Sequence, residues 1–295
     1  MPDVSRIILT LNEQPAVPLE AECLSPDQIA GLDDAAIGAL PVFLGKRQRR
    51  VDDFFAVVRE GVARHTGNGD ASAADCAAHD GDELEIRGDA AKIKWIGRAM
   101  TRGRLKVVGN SGMHLGAYMK GGSIEVTGNA SDWVGGEMTG GKIHIHGNAG
   151  GQVGGAYRGS RQGMREGTIL IEGSAGLEVG LQMRRGIIAI KGPARDFVGL
   201  GMKGGTIVLC SGAELRTGAW MIRGTIISLA DLKLLPTFPY ACTYIPEFVR
   251  VYARHLQATL GLTIPYDPAA GGYERYCGDT CVPGKGEILV WRPRG

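Results

Sequence analysis

The chain has 295 residues and a formal net charge of +2 at pH 7. A balance this close to neutral gives no reason to expect a nucleic-acid or anionic-membrane partner, and no apolar run approaches the ~18 residues of a membrane-spanning helix. Glycine accounts for 47 residues, more than twice its average usage of ~7%. Because each glycine loses much conformational entropy on folding, this excess requires a structural reason.

The N-terminus and the cysteines predict a cytoplasmic protein. Met1, Pro2 and Asp3 lack the charged and then apolar layout of a signal peptide. A disulfide framework is not expected in a large chain without an export signal, so reduced thiols are predicted. The cysteines are Cys23, Cys76, Cys210, Cys242, Cys277 and Cys281.

Residues 1–80 are predicted to form an N-terminal cap and a loop. Val4 to Leu11 has the pattern of a strand, and Pro41 to Leu44 and Val51 to Val58 predict a small packed unit. Thr66 to Asp80 is rich in Gly, Ala, Ser and Asp, as is typical of a loop. A cap is expected because the repeats that follow would otherwise leave an unpaired strand edge.

Residues 81–230 contain a 19-residue repeat, with a looser first copy from about Gly81. One interval is 26 residues long, which we interpret as a seven-residue insertion near Arg158 to Glu166. Self-similarity at a fixed period is the sequence signature of a stacked repeat architecture. The other repeats begin at Gly103, Gly122, Gly141, Gly167, Gly186, Gly205 and Gly224.

Each repeat predicts two short strands. The first alternates apolar and polar residues, which places every second side chain inside. The second is predicted to follow an internal glycine, and the third residue after that glycine forms a methionine-rich column. The inward pairs are Leu84/Ile86, Leu105/Val107, Ile124/Val126, Ile143/Ile145, Ile169/Ile171, Ile188/Ile190 and Ile207/Leu209. The column comprises Met100, Met119, Met138, Tyr157, Met183, Met202 and Met221.

These patterns predict an all-β fold: a right-handed parallel β-helix of 19-residue coils, with a small N-terminal cap and a C-terminal helix and tail. Equivalent residues of successive coils would lie ~4.8 Å apart and form ladders. Calcium-binding β-rolls require aspartates in a nine-residue period, and hexapeptide left-handed helices would give coils of 18 residues. A generic β-sandwich would not align residue for residue.

Residues 231–295 are predicted to form a helix and a tail that pack on the solenoid. Pro246 to Leu260 has a helical pattern, and Gly261 is a stop signal. The apolar stripe of this helix is predicted to contain Phe248, Val251, Tyr252, Leu256, Thr259 and Leu260.

The outward side chains of the first strands become apolar in the last coils. An outward apolar patch must be covered, either by the chain's own tail, which we favour, or by another subunit. The patch comprises Leu170, Ala189, Val208 and Ile227, joined by Ile187, Cys210 and Leu229.

No catalytic constellation is predicted. His144 and His146 alternate with inward residues, so both point outward and could meet a metal, but a pair without further ligands favours surface histidines. Cys277 and Cys281, with Cys242 upstream, could hint at a metal or cluster, but four clustered thiolates are missing. We therefore predict no catalytic residue and no metal ligand in this chain.

A basic edge is the feature that points to a ligand. Lysines and arginines follow the methionine column and, if the coils stack, form a stripe that would attract an extended polyanion. The alternative is that corners simply carry soluble charges. Nucleic acid is disfavoured because no aromatic residues interleave regularly for base stacking. The predicted binding residues are Arg102, Lys120, Arg158, Arg161, Arg165, Arg184, Arg185, Lys203 and Arg223.

Two coils carry a family resemblance, GGSIEVTGNASDWVGGEM at 121–138 and GGKIHIHGNAGGQVGG at 140–155. They resemble the C-type subunit of formylmethanofuran dehydrogenase and the C-terminal glycine-rich domain of glutamate synthase large subunits. The resemblance covers about residues 82–230, and the tail at 240–244 and 284–289 also looks like the C-type subunit. The length of the chain favours the C-type subunit over a fragment of glutamate synthase. The Ala/Arg-rich composition favours the form found in the formyltransferase/hydrolase complex of methylotrophic bacteria.

The resemblance implies a non-catalytic connecting subunit beside a hydrolase-like subunit and a formyltransferase subunit. The implied reaction moves a formyl group from formyl-tetrahydromethanopterin to a methanofuran-type carrier and then hydrolyses it to formate. The carrier of this family bears a polyglutamate tail, and we hypothesise that the basic edge docks it. The chain itself is expected to bind no other cofactor.

Three alternatives remain. The chain could be the C-type subunit of a molybdenum or tungsten formylmethanofuran dehydrogenase, which a neighbouring molybdopterin subunit would indicate. It could accompany an ammonia channel, as in glutamate synthase, although no amidotransferase domain is present. A free enzyme is disfavoured because catalytic residues are missing.

Overall fold

The computed structural model describes residues 5–61 and 83–294, which form a mostly β structure. The predicted loop over Thr66 to Asp80 therefore lies outside the described residues, as does Cys76. The strands are β1 (Ser5–Leu11), β2 (Leu19–Glu20), β3 (Pro41–Leu44), β4 (Arg47–Arg50), β5 (Phe55–Gly61), β6 (Glu83–Arg87), β7 (Ile93–Lys94), β8 (Arg104–Val108), β9 (Ser123–Val126), β10 (Thr139–Ile145), β11 (Glu166–Ile171), β12 (Ile187–Ile190), β13 (Lys203–Leu209), β14 (Arg223–Ser228), β15 (Tyr240–Tyr244), β16 (Gly271–Cys277) and β17 (Glu287–Pro293).

Three helices lie in the described part of the chain, with a 3-10 turn at Val51–Asp53. None of these helices is long and apolar enough to cross a membrane. They are α1 (Pro26–Ile29), α2 (Asp34–Gly38) and α3 (Glu247–Leu260).

A 13-stranded mixed sheet dominates the fold. Its central strands, β6 and β8 to β14, pair in parallel and in register. Ile143 lies between Ile124, nineteen residues earlier, and Ile169, twenty-six residues later. This register confirms the predicted vertical alignment of the repeats, in which identical side chains stack as ladders.

The predicted second strand of each repeat is wrong. The segment after each internal glycine is a turn, and the second parallel ladder lies before that glycine. It has only one bridging residue per repeat, a small side chain that fits where two backbones approach closely. Its members are Ala90, Ser111, Ala130, Ala149, Ala175, Ala194 and Ala213.

The methionine column is interior, with one correction at the insertion. Met164, and not Tyr157, occupies the column in that repeat, because the extra residues leave the coil between Gly155 and Met164. The Met164 amide donates to the Gly154 carbonyl oxygen at 2.8 Å, as the Met138 amide does to Gly135 at 3.2 Å. The column of fully buried methionines is Met100, Met119, Met138, Met164, Met183, Met202 and Met221.

The glycine that begins each coil is explained by this column. Gly141 has a φ of 86°, and a Cβ there would lie 2.7 Å from Cε of Met119 in the previous coil. Only glycine combines that backbone conformation with room for the methionine. At the far end Gly286 holds the equivalent place over Met221, where a Cβ would lie 2.5 Å from Cε.

The N-terminal segment closes one end of the large sheet. Strand β1 pairs in parallel with β6 and antiparallel with β5, so the sheet ends in an antiparallel strand. Strands β4, β3, β2 and β7 form a second sheet. Buried Leu9, Leu24, Ile37 and Phe55 join the core of the repeats. Within the segment Val51 to Val58, which was predicted to belong to a small packed unit, Val51–Asp53 forms the 3-10 turn and β5 begins at Phe55.

The C-terminal segment closes the other end and covers the outward apolar patch. Strand β17 pairs in parallel with β14, and β16 and β15 follow antiparallel. Helix α3 packs on the patch, which confirms covering by the chain's own tail. The cluster contains Leu170, Ala189, Val208, Ile227, Val249, Ala253, Leu256, Leu260, Leu262, Ile264, Tyr273 and Leu289.

Helix α3 begins and ends near the predicted residues, but its buried face differs. Gly261 is the left-handed C-cap, with a φ of 62°. The buried residues Val249, Ala253, Leu256 and Leu260 follow an i, i+4, i+7, i+11 spacing, whereas Val251 is 69% exposed. The predicted stripe wrongly included Val251 because an apolar residue alone does not reveal how a helix is rotated on its support.

Candidate functional site

An open groove of about 780 Å³ lies on the edge that follows the methionine column. We call it the basic groove. Five of its eight lining residues are cationic, and they come from three successive coils and the next strand, β14. The lining residues are Thr139, Gln162, Arg165, Glu166, Arg184, Arg185, Lys203 and Arg223.

Backbone register places the groove cations above one another. The amides of Arg165, Arg184 and Lys203 donate to the carbonyl oxygens of Met138, Met164 and Met183 at 2.8, 2.9 and 2.7 Å. Each cation thus follows a column methionine and rests on the coil before it. Arg165 holds the place predicted for Arg158, for the same reason that Met164 replaces Tyr157 in the column.

The nine predicted binding residues fall into two sets. Five line the groove, and Arg161 adjoins them, because its carbonyl oxygen accepts a hydrogen bond from Lys203 Nζ at 3.1 Å. Arg102, Lys120 and Arg158 are exposed and do not line it. The structure therefore brings six of the nine together.

The groove carries uncompensated positive charge. Glu166 is the single carboxylate among its lining residues. Within residues 5–61 and 83–294, no salt bridge involves any of the five groove cations. Burial lowers the pKa of Lys203, and the charges of Arg184 and Arg161 lower it further. Such clustered like charges favour an anionic ligand.

A second surface, the aromatic face, lies beside the early coils. The Trp95 and His114 rings stack with centroids 4.1 Å apart, and Tyr157 stacks on Trp133 at 4.6 Å. Tyr118 packs 5.4 Å from Tyr157. The sequence analysis missed this surface, although Trp95, His114 and Trp133 recur every nineteen residues. The prediction that no aromatic residues interleave with the basic edge concerns a different surface, because none of these rings lines the basic groove.

The insertion completes the aromatic face. The Tyr157 hydroxyl lies 3.0 Å from Nδ1 of His114. Gly136 makes room for it, since a Cβ there would lie 2.9 Å from that hydroxyl. Arg98 stacks over Trp95 and Tyr118 at 5.2 and 5.7 Å from the ring centroids and forms an ion pair with Glu22. The insertion thus extends a stacked surface onto the outside of the coils.

The aromatic face should make folding stability depend on pH. Burial and the charge of Lys94 lower the pKa of His114 to about 4, with Asp132 opposing. The unfolded chain therefore binds the extra proton between pH ~6.5 and ~4, and stability falls as pH falls through that window. Because the ring is half exposed, solvent screens part of this effect. We therefore expect the free energy of unfolding to fall by about 1–2 kcal/mol across the window.

Urea unfolding of the wild type and of His114→Gln at pH 7.5 and 4.5 measures this dependence. The two proteins carry the same carboxylates, so the difference between their pH dependences reports the contribution of His114. The variant should lose about 1–2 kcal/mol less than the wild type on acidification. Parallel pH dependences in the two proteins would contradict the assignment.

Among the described residues, the histidines of the coils and the candidate cysteines form no histidine–nucleophile pair. His114, His144 and His146 bond to Tyr157, Glu172 and Glu125, none of which is a serine or cysteine nucleophile. Cys242, Cys277 and Cys281 join no cluster of three or more ligands among the described residues. Cys242 and Cys281 are exposed and Cys277 is partly buried.

Comparison with known proteins gives partial sequence matches. No family model matches the chain. The C-type subunit of the molybdenum-containing formylmethanofuran dehydrogenase 1 of Methanosarcina barkeri is 40% identical over 113 residues, 38% of this chain and 33% of the relative. The C-type subunit of the tungsten-containing formylmethanofuran dehydrogenase 2 of Methanothermobacter thermautotrophicus is 40% identical over 114 residues, 39% of this chain and 37% of the relative. The chain thus spans about a third of the length of these curated relatives.

A solved structure matches over the whole chain. It is the formyltransferase/hydrolase complex of Methylorubrum extorquens in complex with methylofuran. The matched chain is 31% identical and superposes with a TM-score of 0.82, covering 98% of this chain and 100% of that one.

Proposed function

Because this chain belongs to the C-type subunit family shared by formylmethanofuran dehydrogenases and the formyltransferase/hydrolase complex, we propose that it is the non-catalytic connecting subunit of such a complex. The single observation that carries this proposal is the full-length match to a chain of the formyltransferase/hydrolase complex.

The proposed partners are a hydrolase-like subunit and a formyltransferase subunit, in a cytoplasmic hetero-oligomer. The proposed reaction of the whole complex transfers a formyl group from formyl-tetrahydromethanopterin to a methanofuran-type carrier and hydrolyses it to formate. The bound methylofuran of the solved complex supports the carrier class. The chemistry belongs to the partners, and this chain holds them at a fixed separation.

The proposed framework is a right-handed parallel β-helix over residues 81–230, flanked by a cap over 1–80 and a helix and tail over 231–295. Two parallel ladders in register, one of strands and one of single bridges, support this architecture. A stack of this kind is stiff because each coil is bonded along its length to its neighbours. A stiff rod suits a subunit that sets the distance between two catalytic centres.

The basic groove is the proposed docking place for the carrier's polyglutamate tail. Its five cations, its single carboxylate and its elongated run over successive coils suit an extended chain of carboxylates. Arginine in particular binds carboxylates with two parallel hydrogen bonds. A docked tail would keep the carrier on the complex while its formyl end moves between sites.

Co-expression of the tagged chain with candidate partners, followed by purification and mass spectrometry, tests the assignment. We expect a stable assembly with hydrolase-like and formyltransferase subunits and no turnover of a formyl carrier by this chain alone. Formyl-carrier turnover by the isolated chain would overturn the non-catalytic assignment. Failure to assemble with either partner would overturn the connecting role.

Tail docking is tested with two triple variants of equal charge. In Arg184→Ala/Arg185→Ala/Lys203→Ala the groove loses three cations, whereas Arg102→Ala/Lys120→Ala/Arg158→Ala removes three outside it. The probes are oligoglutamates of about ten and about three residues. We expect the groove variant to weaken binding of the long probe at least tenfold, with strong salt dependence, and the control variant to retain it. Equal losses in both variants, or equal losses for both probes, would contradict docking.

One observation favours a second assignment, the C-type subunit of a molybdenum- or tungsten-containing formylmethanofuran dehydrogenase. The sequence matches to such subunits reach 40% identity, above the 31% of the structural match, but over shorter segments. Co-purification of a molybdopterin subunit with this chain would favour the second assignment. Its absence from an assembly with formyltransferase and hydrolase activity would favour the first.

A further inference from the structure

Four ionisable side chains converge on the outer face of strands β9 to β11, away from the basic groove. Nε2 of His144 lies 3.0 Å from Oε1 of Glu172, and Nε2 of His146 lies 2.9 Å from Oε1 of Glu125. The two imidazole rings pack with centroids 4.2 Å apart. Ligand atoms of His144, His146 and Glu172 all lie within 4.8 Å of one another.

This convergence follows from the parallel register. Glu125 pairs directly with His144, and Ile145 pairs with Ile171, so Glu172 stands beside His146. The contacts run diagonally across the strands. His144 contacts Glu172, which stands beside His146, and His146 contacts Glu125, which pairs with His144. The diagonal arrangement draws side chains from three successive coils toward one point.

We propose that His144, His146 and Glu172 bind a divalent transition-metal ion of the Zn²⁺ class, with Glu125 as the fourth ligand. Two imidazole nitrogens and two carboxylate oxygens form a donor set that Zn²⁺ accepts in tetrahedral geometry. Ligands of one zinc ion lie roughly 3–4 Å apart, so small side-chain rotations close the site. A sequence-level pair of histidines thus gains its missing ligands from neighbouring coils.

Lys191 is the competing cation. Its Nζ donates to Oε2 of Glu172 at 2.6 Å, which leaves Oε1 facing His144. A metal ion on Oε1 would share this carboxylate with the lysine and be repelled by it. The lysine should therefore weaken the site, and its removal should tighten it.

A metal bound here would add a link between coils that already contact each other through backbone ladders, side-chain hydrogen bonds and packing. Its ligands lie on β9, on and just after β10, and just after β11. The site borders helix α3, where Lys142 on β10 donates to the carbonyl oxygen of Thr259. It would thus brace the coils next to the covered apolar patch.

Zn²⁺ titration of the full chain after chelation, against a chromophoric competitor, tests the proposal. We expect one ion per chain, with affinity at least tenfold weaker in His144→Ala and in His146→Ala. The control His255→Ala removes an exposed histidine of α3 and should leave affinity unchanged. His65→Ala/His79→Ala, at positions outside the described residues, should also leave it unchanged.

Two variants that remove a charge with little change in side-chain size separate the loss of a metal ligand from general misfolding. Glu172→Gln should weaken Zn²⁺ at least tenfold, whereas Lys191→Gln should tighten it several-fold, a gain that mere structural damage would not produce. Co²⁺ bound to the wild type should show the intense visible absorption of a tetrahedral site. Absence of one-to-one Zn²⁺ binding, or binding unaffected by His144→Ala, would overturn the proposal. It stands independently of the proposed complex, because it needs only this chain.

Discussion

Leu256→Asp should detach helix α3 from the repeats. Leu256 is fully buried in the cluster with Val208 and Ile227. The substitution removes the apolar contacts, which for Leu→Ala alone are worth about 2–5 kcal/mol, and buries a carboxylate without a partner. We expect a loss of at least about 4 kcal/mol in the local stability of α3 and its support.

Hydrogen exchange followed by mass spectrometry measures this local effect. Protection should fall over α3 and over β13 and β14, while the early coils stay protected. The matched control is Val251→Asp, which introduces the same charge on the same helix at a position that is 69% exposed. The control should change stability by no more than about 0.5 kcal/mol. Similar losses in both variants would contradict the packing described for α3.

Gly141→Ala should produce the second large loss. The new Cβ would lie 2.7 Å from Cε of Met119 and 3.0 Å from the carbonyl oxygen of Gly122, at a φ of 86°. Strain at a left-handed non-glycine residue costs about 1–3 kcal/mol, and overpacking adds about 1–3 kcal/mol. We expect the free energy of unfolding, measured in urea, to fall by about 2–5 kcal/mol in total.

The control for this variant is Gly31→Ala, which has a φ of 73° but no atom within 4 Å of the added Cβ. Gly31→Ala should lower the free energy of unfolding only by the backbone strain. Adding Met119→Ala to Gly141→Ala should relieve part of the clash, so the double variant should be more stable than the sum of the single effects predicts. Strict additivity would mean that the methionine does not require the glycine.

The repeat made much of the fold predictable. Stacking forces residues nineteen apart into register. The inward isoleucine ladder and the outward apolar patch could therefore be predicted from spacing alone. The exact position of the insertion was harder to predict, because seven extra residues can be placed at several points between Gly155 and Gly167. Only the backbone hydrogen bonds of Met164 and Arg165 show where the coil resumes.

The surfaces were less predictable than the core. The basic groove follows from register once Arg165 replaces Arg158, but its boundary depends on how the insertion folds back to Lys203. The aromatic face and the histidine–carboxylate cluster depend on rotamers that cross between coils. Periodicity shows which residues share a face and does not show which neighbour a flexible side chain reaches.

The antiparallel strands at both ends of the large sheet have a consequence for assembly. An open parallel stack presents complementary first and last strands, so copies could join head to tail into a growing filament. Here β5 ends one side and β15 the other, each running against the neighbour that it covers. Because β15 runs in the same direction as the repeats and β5 runs against them, head-to-tail copies would meet through an antiparallel pair. The parallel ladder of one chain therefore cannot continue uninterrupted into the next.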